Sequence, residues 1–379
     1  MRRVDYYQEI VNNLYLLNTE DLQILKRKLT SEDIKCLDGL LKEAMDYGIH
    51  SVTEKKRKAP SGNPHDYMSC SIYHWPNPDT ETGLPYIERD GCDNPEAIHG
   101  DKESLRTLAY ITYLSGILTY VTEEEQYLST ILYYNRFWFV DPETKMNPNL
   151  RYAQCIPGVN DGEPGGIIDY AASYGYALNL LTRLYDAKLL PEEFYQEMAV
   201  WHKEFLHWLK TSAQGRTQSQ RQNNQGALYD LLILNISRFL KLEDSEEDCK
   251  RLLKRIDTQI DSRGLLPLEL ERTKTESYTT MALKMLLESA YLLKEKGCDF
   301  SENQKLILAF RQVSPHYIQH TWDYQQIKEF DSYRGYYILY LFKRILHKDC
   351  EIQFEKKENH WGYLFIKKLY EEEEICKKQ

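Results

Sequence analysis

Side chains able to move protons or grip a sugar gather in one stretch of the chain. His65, Tyr67, Tyr73, His74 and Trp75 lie between Glu54 and Pro95, among many Pro, Gly and Asn residues. Imidazoles exchange protons near neutral pH, and aromatic rings with a polar handle suit a cleft that stacks on a flat, hydrated ligand. The whole chain leans the same way, with 30 Tyr, 6 Trp and 11 Phe, although most of those tyrosines are expected to be ordinary helix packing. Carboxylates are available at Asp66, Asp169, Asp230, Glu269 and Glu271. A glycoside hydrolase needs two of them across the scissile bond, and no spacing selects a pair.

Metal and redox chemistry find less support. The 8 cysteines (Cys36, Cys70, Cys92, Cys155, Cys249, Cys298, Cys350, Cys376) show no CxxC or other ligand spacing. Neither a zinc site nor a disulfide framework is indicated, a reducing compartment is expected, and no metal or cofactor is expected. His99, His202, His207, His316, His320, His347 and His360 share no ligand spacing either, which assigns them to core or surface.

With 48 Lys and Arg against 58 Asp and Glu, the net charge of −10 argues against non-specific binding to nucleic acid or an anionic membrane. A polyanionic partner would have to meet local cationic groups. No run approaches the roughly 18 apolar residues of a membrane helix, and the residues after Met1 lead into an amphipathic stretch. A cytoplasmic protein is expected, or a periplasmic or secreted one if a signal has been removed. The basic run from Lys55 to Lys58 is expected to be a solvated loop face.

These residues must be held by helices. Leu22, Leu25 and Leu29 follow Thr19-Glu20-Asp21, and Ile34, Leu37, Leu40 and Leu41 follow Ser31-Glu32-Asp33, each an acidic start resembling a cap. Residues 1–53 therefore read as packing helices. About forty residues without periodicity follow, long enough for a functional loop. Helical periodicity returns over Lys102 to Val121, Glu123 to Phe139, Ile167 to Tyr185, Pro191 to Leu209, Gly226 to Leu240, Glu246 to Ile260, Tyr278 to Lys294 and Gly335 to Leu346. A polar segment, Thr211 to Gln225, interrupts it. Asp141, Asn147, Asn149 and Asp169 read as turn chemistry and structure. The best strand signal is Ile352-Gln353-Phe354, within a C-terminal extension over 347–379. The expected fold class is all-α, one domain of paired helices around a central cleft.

Several ordered motifs are more specific. Pro60-Ser61-Gly62-Asn63-Pro64-His65-Asp66-Tyr67-Met68-Ser69, then Tyr73-His74-Trp75-Pro76-Asn77-Pro78, then Trp138-Phe139-Val140-Asp141-Pro142, Tyr152-Ala153-Gln154, Ile156-Pro157-Gly158 and Gly166-Ile167-Ile168-Asp169 resemble the alginate lyase superfamily, including polysaccharide lyase families five and thirty-eight. The resemblance covers most of residues 58 to 345. It implies an incomplete (α/α) toroid and β-elimination on a uronic-acid polymer, so that an acidic polysaccharide or oligosaccharide is the expected partner.

Such a reaction must neutralise the substrate carboxylate, remove the C5 proton and protonate the leaving O4. Asn223-Asn224-Gln225-Gly226 resembles the family's Asn-Asn-His-Gly segment, with Gln225 where the family has histidine. A glutamine amide donates a hydrogen bond but has no titrating group, so Gln225 cannot be the base. Glu269-Leu270-Glu271-Arg272-Thr273 resembles the Glu-Leu-x-Arg-Thr stretch and places Tyr278 on the family's catalytic tyrosine, with Ser277 replacing a second histidine. In mannuronate and glucuronate the C5 proton and O4 share one face of the ring, so one tyrosinate can take the proton and return it to O4. A tyrosine pKa of about 10 asks for nearby positive charge. Arg272 and Lys274 are local candidates, with Arg216 and Arg221 beyond them.

The resemblance thus implies Tyr278, Asn224, Gln225 and Arg272 as catalytic residues. It implies Asn223, His65, Tyr67, Tyr73, His74, Trp75, Lys274 and Arg221 as substrate-binding residues, with His65 able to replace the missing imidazole. Two other readings stand beside the lyase. One is a binding homologue that lost turnover with both histidines. The other is a glycoside hydrolase on a similar helical toroid.

Overall fold

The computed structural model describes residues 14–98, 100–319, 321, 322, 324, 332–348, 362 and 364–370. The helices are α1 (Thr19–Lys28), α2 (Ser31–Tyr47), α3 (Asp101–Thr122), α4 (Glu125–Phe139), α5 (Ile168–Ala171), α6 (Tyr174–Asp186), α7 (Glu192–Thr211), α8 (Ala213–Gln220), α9 (Asn224–Phe239), α10 (Ser245–Gln259), α11 (Pro267–Leu270), α12 (Thr275–Lys294), α13 (Gln304–Gln319) and α14 (Ser332–Leu346). The fold class is all-α, and the helices pack as pairs, the arrangement from which an (α/α) toroid is built. The strand expected at 352–354, and His99, His320 and His360, lie outside the described residues.

Two compact units make up the chain. The first holds residues 14–22, Leu29–Ser219 and Asn235–Lys241, and the second holds Gln23–Lys28, Gln220–Leu234 and the chain from Leu242. The chain passes between them inside α1 and α9, so no Pro- or Gly-rich linker marks a boundary in the sequence.

In the first unit, α3 is buried nearly all round and packs on α2, α4 and α6. Gly116 permits the approach of α6, because a Cβ there would lie 2.5 Å from Leu180 Cδ2. The cap of α2 falls one residue before the acidic start read from sequence. Thr30 Oγ1 accepts from the Asp33 amide at 3.2 Å, and Asp33 Oδ2 accepts from the Thr30 amide at 2.8 Å. That exchange satisfies donors the helix start would otherwise leave bare. In the second unit, α12 packs on α10, α11 and α14, and α13 packs on α14.

The loop from Glu54 to Pro95 is built rather than loose. Strand β1 (Met68–Cys70) pairs parallel to β4 (Tyr152–Cys155), and β2 (His74–Trp75) pairs antiparallel to β3 (Ile87–Glu88). Asp169 anchors it from beneath. That carboxylate pairs with the buried Lys102 ammonium at 3.0 Å and accepts from Tyr67 Oη at 3.1 Å, Gln154 Nε2 at 3.1 Å and Ser69 Oγ. Burial pushes the Asp169 carboxyl up, but Lys102 and the Ser69 hydroxyl outweigh it and hold it below the usual range. Asn147 Nδ2 donates to Asp66 Oδ1 at 2.8 Å, so the Asn-Pro turns serve the loop as expected.

The basic run corrects one expectation. Lys56, Arg57 and Lys58 are exposed, but the Lys55 side chain is only 8% exposed and pairs with Asp101 at 3.3 Å. Its ammonium also donates to the Pro64 carbonyl at 2.8 Å, so it ties the loop to α3.

Most of the tyrosine excess is core. Tyr15, Tyr67, Tyr110, Tyr113, Tyr170, Tyr174, Tyr291, Tyr317, Tyr336 and Tyr337 are among the largest fully buried side chains. Their hydroxyls find partners, as Tyr113 Oη does on the Tyr15 carbonyl at 2.8 Å and Tyr337 Oη on Glu288 at 3.0 Å.

His202 belongs to this core, ringed by Phe139, Tyr174, Trp201 and Phe239. Its Nδ1–H donates to the Met198 carbonyl at 2.7 Å, and Nε2 accepts from Tyr170 Oη at 2.7 Å. Burial lowers its pKa to about 4 from the ordinary 6.5. A depressed folded-state pKa gives stability that is complete above 6.5 and is lost as the pH falls towards 4. At about 1.4 kcal/mol for each pH unit crossed, His202 contributes about 3 kcal/mol to that loss. Thermal melts between pH 4 and 6.5 are expected to show a shallower fall for His202→Gln than for the wild type. Equal slopes would contradict the assignment.

Candidate active site

The second unit brings together the two motifs singled out in the sequence. Asn224 opens α9 and is buried, and Glu269, the third residue of α11, is 1% exposed. Glu269 Oε1 accepts from the Asn224 backbone amide at 2.6 Å, and Oε2 accepts from Asn224 Nδ2 at 2.7 Å. The carboxylate thus satisfies a helix-start donor and fixes which way the side-chain amide points. Burial pushes the Glu269 pKa up, opposed by the Asn224 bonds and the nearby Arg272 charge.

The preceding turn is equally constrained. The Asn223 carbonyl accepts from the Gly226 amide at 2.9 Å and from Gln259 Nε2 at 2.8 Å, while Asn223 Oδ1 accepts from the Gln225 amide at 3.3 Å. Gly226 must be glycine, since a Cβ there would sit 1.9 Å from the Arg221 carbonyl oxygen. Arg255 bonds that carbonyl and pairs with Asp230 of α9 at 2.8 Å, which holds α9 against α10.

Arg272 and Tyr278 are paired in the same unit. Arg272 Nη2 donates to Tyr278 Oη at 2.7 Å, and its guanidinium carbon lies 3.8 Å from the ring centroid. Tyr278 is half-buried in the first turn of α12, where its amide donates to the Lys274 carbonyl at 3.1 Å. Next to it, Ser277 Oγ accepts from Arg334 Nη1 of α14 at 2.8 Å. Two guanidinium groups are thus fixed here, Arg272 on Tyr278 and Arg334 on its neighbour Ser277, in a chain whose net charge is −10. Lys274 and Arg221 are half-buried in the same unit.

The remaining candidates lie in the first unit. His65 Nδ1–H donates to the Lys145 carbonyl at 2.7 Å, which leaves Nε2 as the ring atom with a lone pair. Tyr73 is half-buried, and its carbonyl accepts from the Arg89 amide at 2.8 Å. His74 Nδ1 bonds Ser71 Oγ at 2.8 Å, and Trp75 Nε1 donates to the Cys92 carbonyl at 2.9 Å with Arg89 over its ring. Tyr67 is a correction. It is fully buried with its hydroxyl committed to Asp169, so it supports the loop from below and offers no surface to a substrate. Arg216 is exposed, and its guanidinium bonds the Thr211 carbonyl.

The alginate lyase family model matches residues 51–320, well over half of the chain. The chain belongs to the alginate lyase family. A solved alginate lyase from Bacteroides ovatus has a TM-score of 0.79 and 28% identity to it, covering 87% of this chain and 91% of that one. Alginate lyase A1-III from Sphingomonas species A1 has a TM-score of 0.48 and 14% identity, covering 89% and 90%. No curated protein matches the chain.

Within this alginate lyase family member, four of the five carboxylates offered for a hydrolase are engaged by other side chains. Asp169 holds Lys102, Asp230 holds Arg255, Asp66 holds Asn147, and Glu269 holds Asn224. Glu271 is exposed. Two contacts are not legible in the sequence, Glu269 on Asn224 and Arg334 on Ser277. Glu269 stood inside a recognised motif, but nothing in the motif says that it clasps Asn224, and Arg334 lies in a helix without any motif.

Proposed function

We propose that this protein is a polysaccharide lyase that cleaves a mannuronate- or glucuronate-containing chain by syn β-elimination, with Tyr278 as both base and acid. The observation that carries this reading is the Arg272 guanidinium bonded to Tyr278 Oη at 2.7 Å and lying against its ring. A cation at the phenol oxygen stabilises the phenolate that must accept a carbon-bound proton.

The amides of Asn224 and Gln225 donate to the substrate carboxylate, which stabilises negative charge developing at C5. Tyr278 phenolate takes the C5 proton, the C4–O4 bond breaks as the C4–C5 double bond forms, and the tyrosine proton passes to the leaving O4. The phenolate is regenerated and no water is consumed. Gln225 neutralises without titrating, so the proton chemistry falls to Tyr278 alone.

One tyrosine can serve both steps only where the C5 proton and O4 share a face. Polymannuronate or glucuronan is therefore expected to give a steady rise in the ultraviolet absorbance of an unsaturated uronate. Polyguluronate, in which the two lie on opposite faces, is expected to give none. A preference for polyguluronate would overturn the syn mechanism. The second reading, a binding homologue, draws on Gln225 and on the Ser277 hydroxyl committed to Arg334. It requires oligosaccharide binding with no absorbance rise on any of the three polymers.

A further inference from the structure

Cys70 and Cys155, which no sequence spacing joins, are neighbours in space. They are register partners in the parallel β1–β4 pair, with their Sγ atoms 3.3 Å apart. Partners on adjacent strands fall in the Cα range that a disulfide spans, and closing to a bond of about 2 Å needs only small side-chain rotations. The two differ in access, since Cys70 is half-buried and Cys155 is buried.

Their surroundings differ as well. Arg57 Nη1 lies 3.5 Å from Cys70 Sγ. A hydrogen bond from Cys155 lowers the Cys70 pKa to about 7; Arg57 and Lys102 add to that effect, while burial and Asp169 oppose it. Cys155 is pushed up, first by its hydrogen bond to Cys70 and then by burial, with Arg57 and Asp161 as the charges that face it. Cys70 is thus the more exposed sulfur with a cation beside it, and Cys155 is the buried sulfur next to it, the arrangement of an attacking and a resolving cysteine.

We propose that Cys70 and Cys155 are a thiol–disulfide exchange site for a low-molecular-weight disulfide of the glutathione type, with Cys70 as the attacking and Cys155 as the resolving sulfur. Cys70 thiolate attacks one sulfur of the disulfide, forming a mixed disulfide and expelling one glutathione thiolate. The negative charge that kept Cys155 protonated is then gone. Cys155 releases its proton to water and attacks Cys70 Sγ, which expels the second glutathione thiolate and leaves an intramolecular disulfide. Two protein thiols are oxidised and one glutathione disulfide is reduced to two thiols. The second step is intramolecular, so the mixed disulfide does not accumulate.

The bond would staple β1 to β4 one residue beyond an existing contact, in which Ser69 Oγ accepts from the Gln154 amide at 2.8 Å.

The test treats reduced full-length protein with oxidised glutathione at pH 7.5, quenches it by alkylation and maps the peptides by mass. The wild type is expected to yield the Cys70–Cys155 cross-linked peptide. Cys155→Ser is expected to stop at a glutathione adduct on Cys70, and Cys70→Ser to leave Cys155 alkylated as a free thiol. The exposed Cys36 and Cys92 serve as internal references in each sample. The proposal is overturned if the wild type carries adducts on Cys36 and Cys92 while Cys70 and Cys155 are both recovered as free thiols. A stable, unresolved glutathione adduct on wild-type Cys70 would overturn it equally.

Discussion

Tyr278→Phe is expected to keep an aromatic ring against Arg272 and to lose turnover. The substitution removes a single oxygen, the one that accepts from Arg272 Nη2 at 2.7 Å. Stacking of the guanidinium on a ring does not need that oxygen, so the local fold of α12 is preserved. General acid–base catalysis by one group is worth roughly 10²–10⁴-fold, and here one group serves two transfers, so kcat should fall by about 10³-fold or more. The binding groups Asn224 and Gln225 are untouched, and KM should stay within about two-fold of the wild type. A variant retaining a tenth of the wild-type kcat would show that another group carries the proton.

Glu269→Gln has the second largest expected effect, through positioning rather than contact with the reacting atoms. In the wild type both carboxylate oxygens accept from Asn224. A glutamine amide offers one acceptor, and its NH2 faces a donor of Asn224, so the asparagine turns away from the position that meets the substrate carboxylate. Losing one oriented donor of this kind costs about 10²-fold in kcat. Glu269→Asp keeps the charge and both acceptors at a shorter reach and is expected to recover part of the loss, which a merely structural role would not predict. Melting temperatures recorded beside the rates separate unfolding from mispositioning. Burial also pushes the Glu269 pKa above the ordinary glutamate value. The acidic limb of the wild-type rate profile should therefore begin at a higher pH than an ordinary carboxylate would give, and this limb should be absent from Glu269→Gln. An unchanged kcat/KM and an unchanged acidic limb in Glu269→Gln would remove Glu269 from the account.

The long helices were legible because their apolar residues recur at helical spacing. The segment Lys102 to Val121 became α3, and Tyr278 to Lys294 lies within α12. Helix α8 was hidden, since AQGRTQSQ has no apolar face and buries only Gly215 and Gln218. Helix α13 carries Pro315 in its interior, a residue that in sequence signals a helix end rather than its continuation.

The site divides in the same manner. Asn224, Arg272 and Tyr278 were legible as members of ordered motifs. Their contacts were not, because the Asn224–Glu269 bond spans 45 positions and the Ser277–Arg334 bond 57. Bonds at such separation are fixed by how helices pack, about which local periodicity is silent. Lys55 shows the same limit at a single residue. Its three basic neighbours are solvated, and only the arrival of Asp101 from α3 makes its own position buried.

Elimination at Tyr278, as proposed, and hydrolysis break the same glycosidic bond but leave products of different mass. Wild-type protein incubated with mannuronate or glucuronate polymer is predicted to release oligosaccharides lighter by one water than hydrolytic products, with an unsaturated sugar at the new non-reducing end. Tyr278→Phe is predicted to release none. Saturated oligosaccharides from the wild type, or polymer that is bound and recovered whole, would contradict the account.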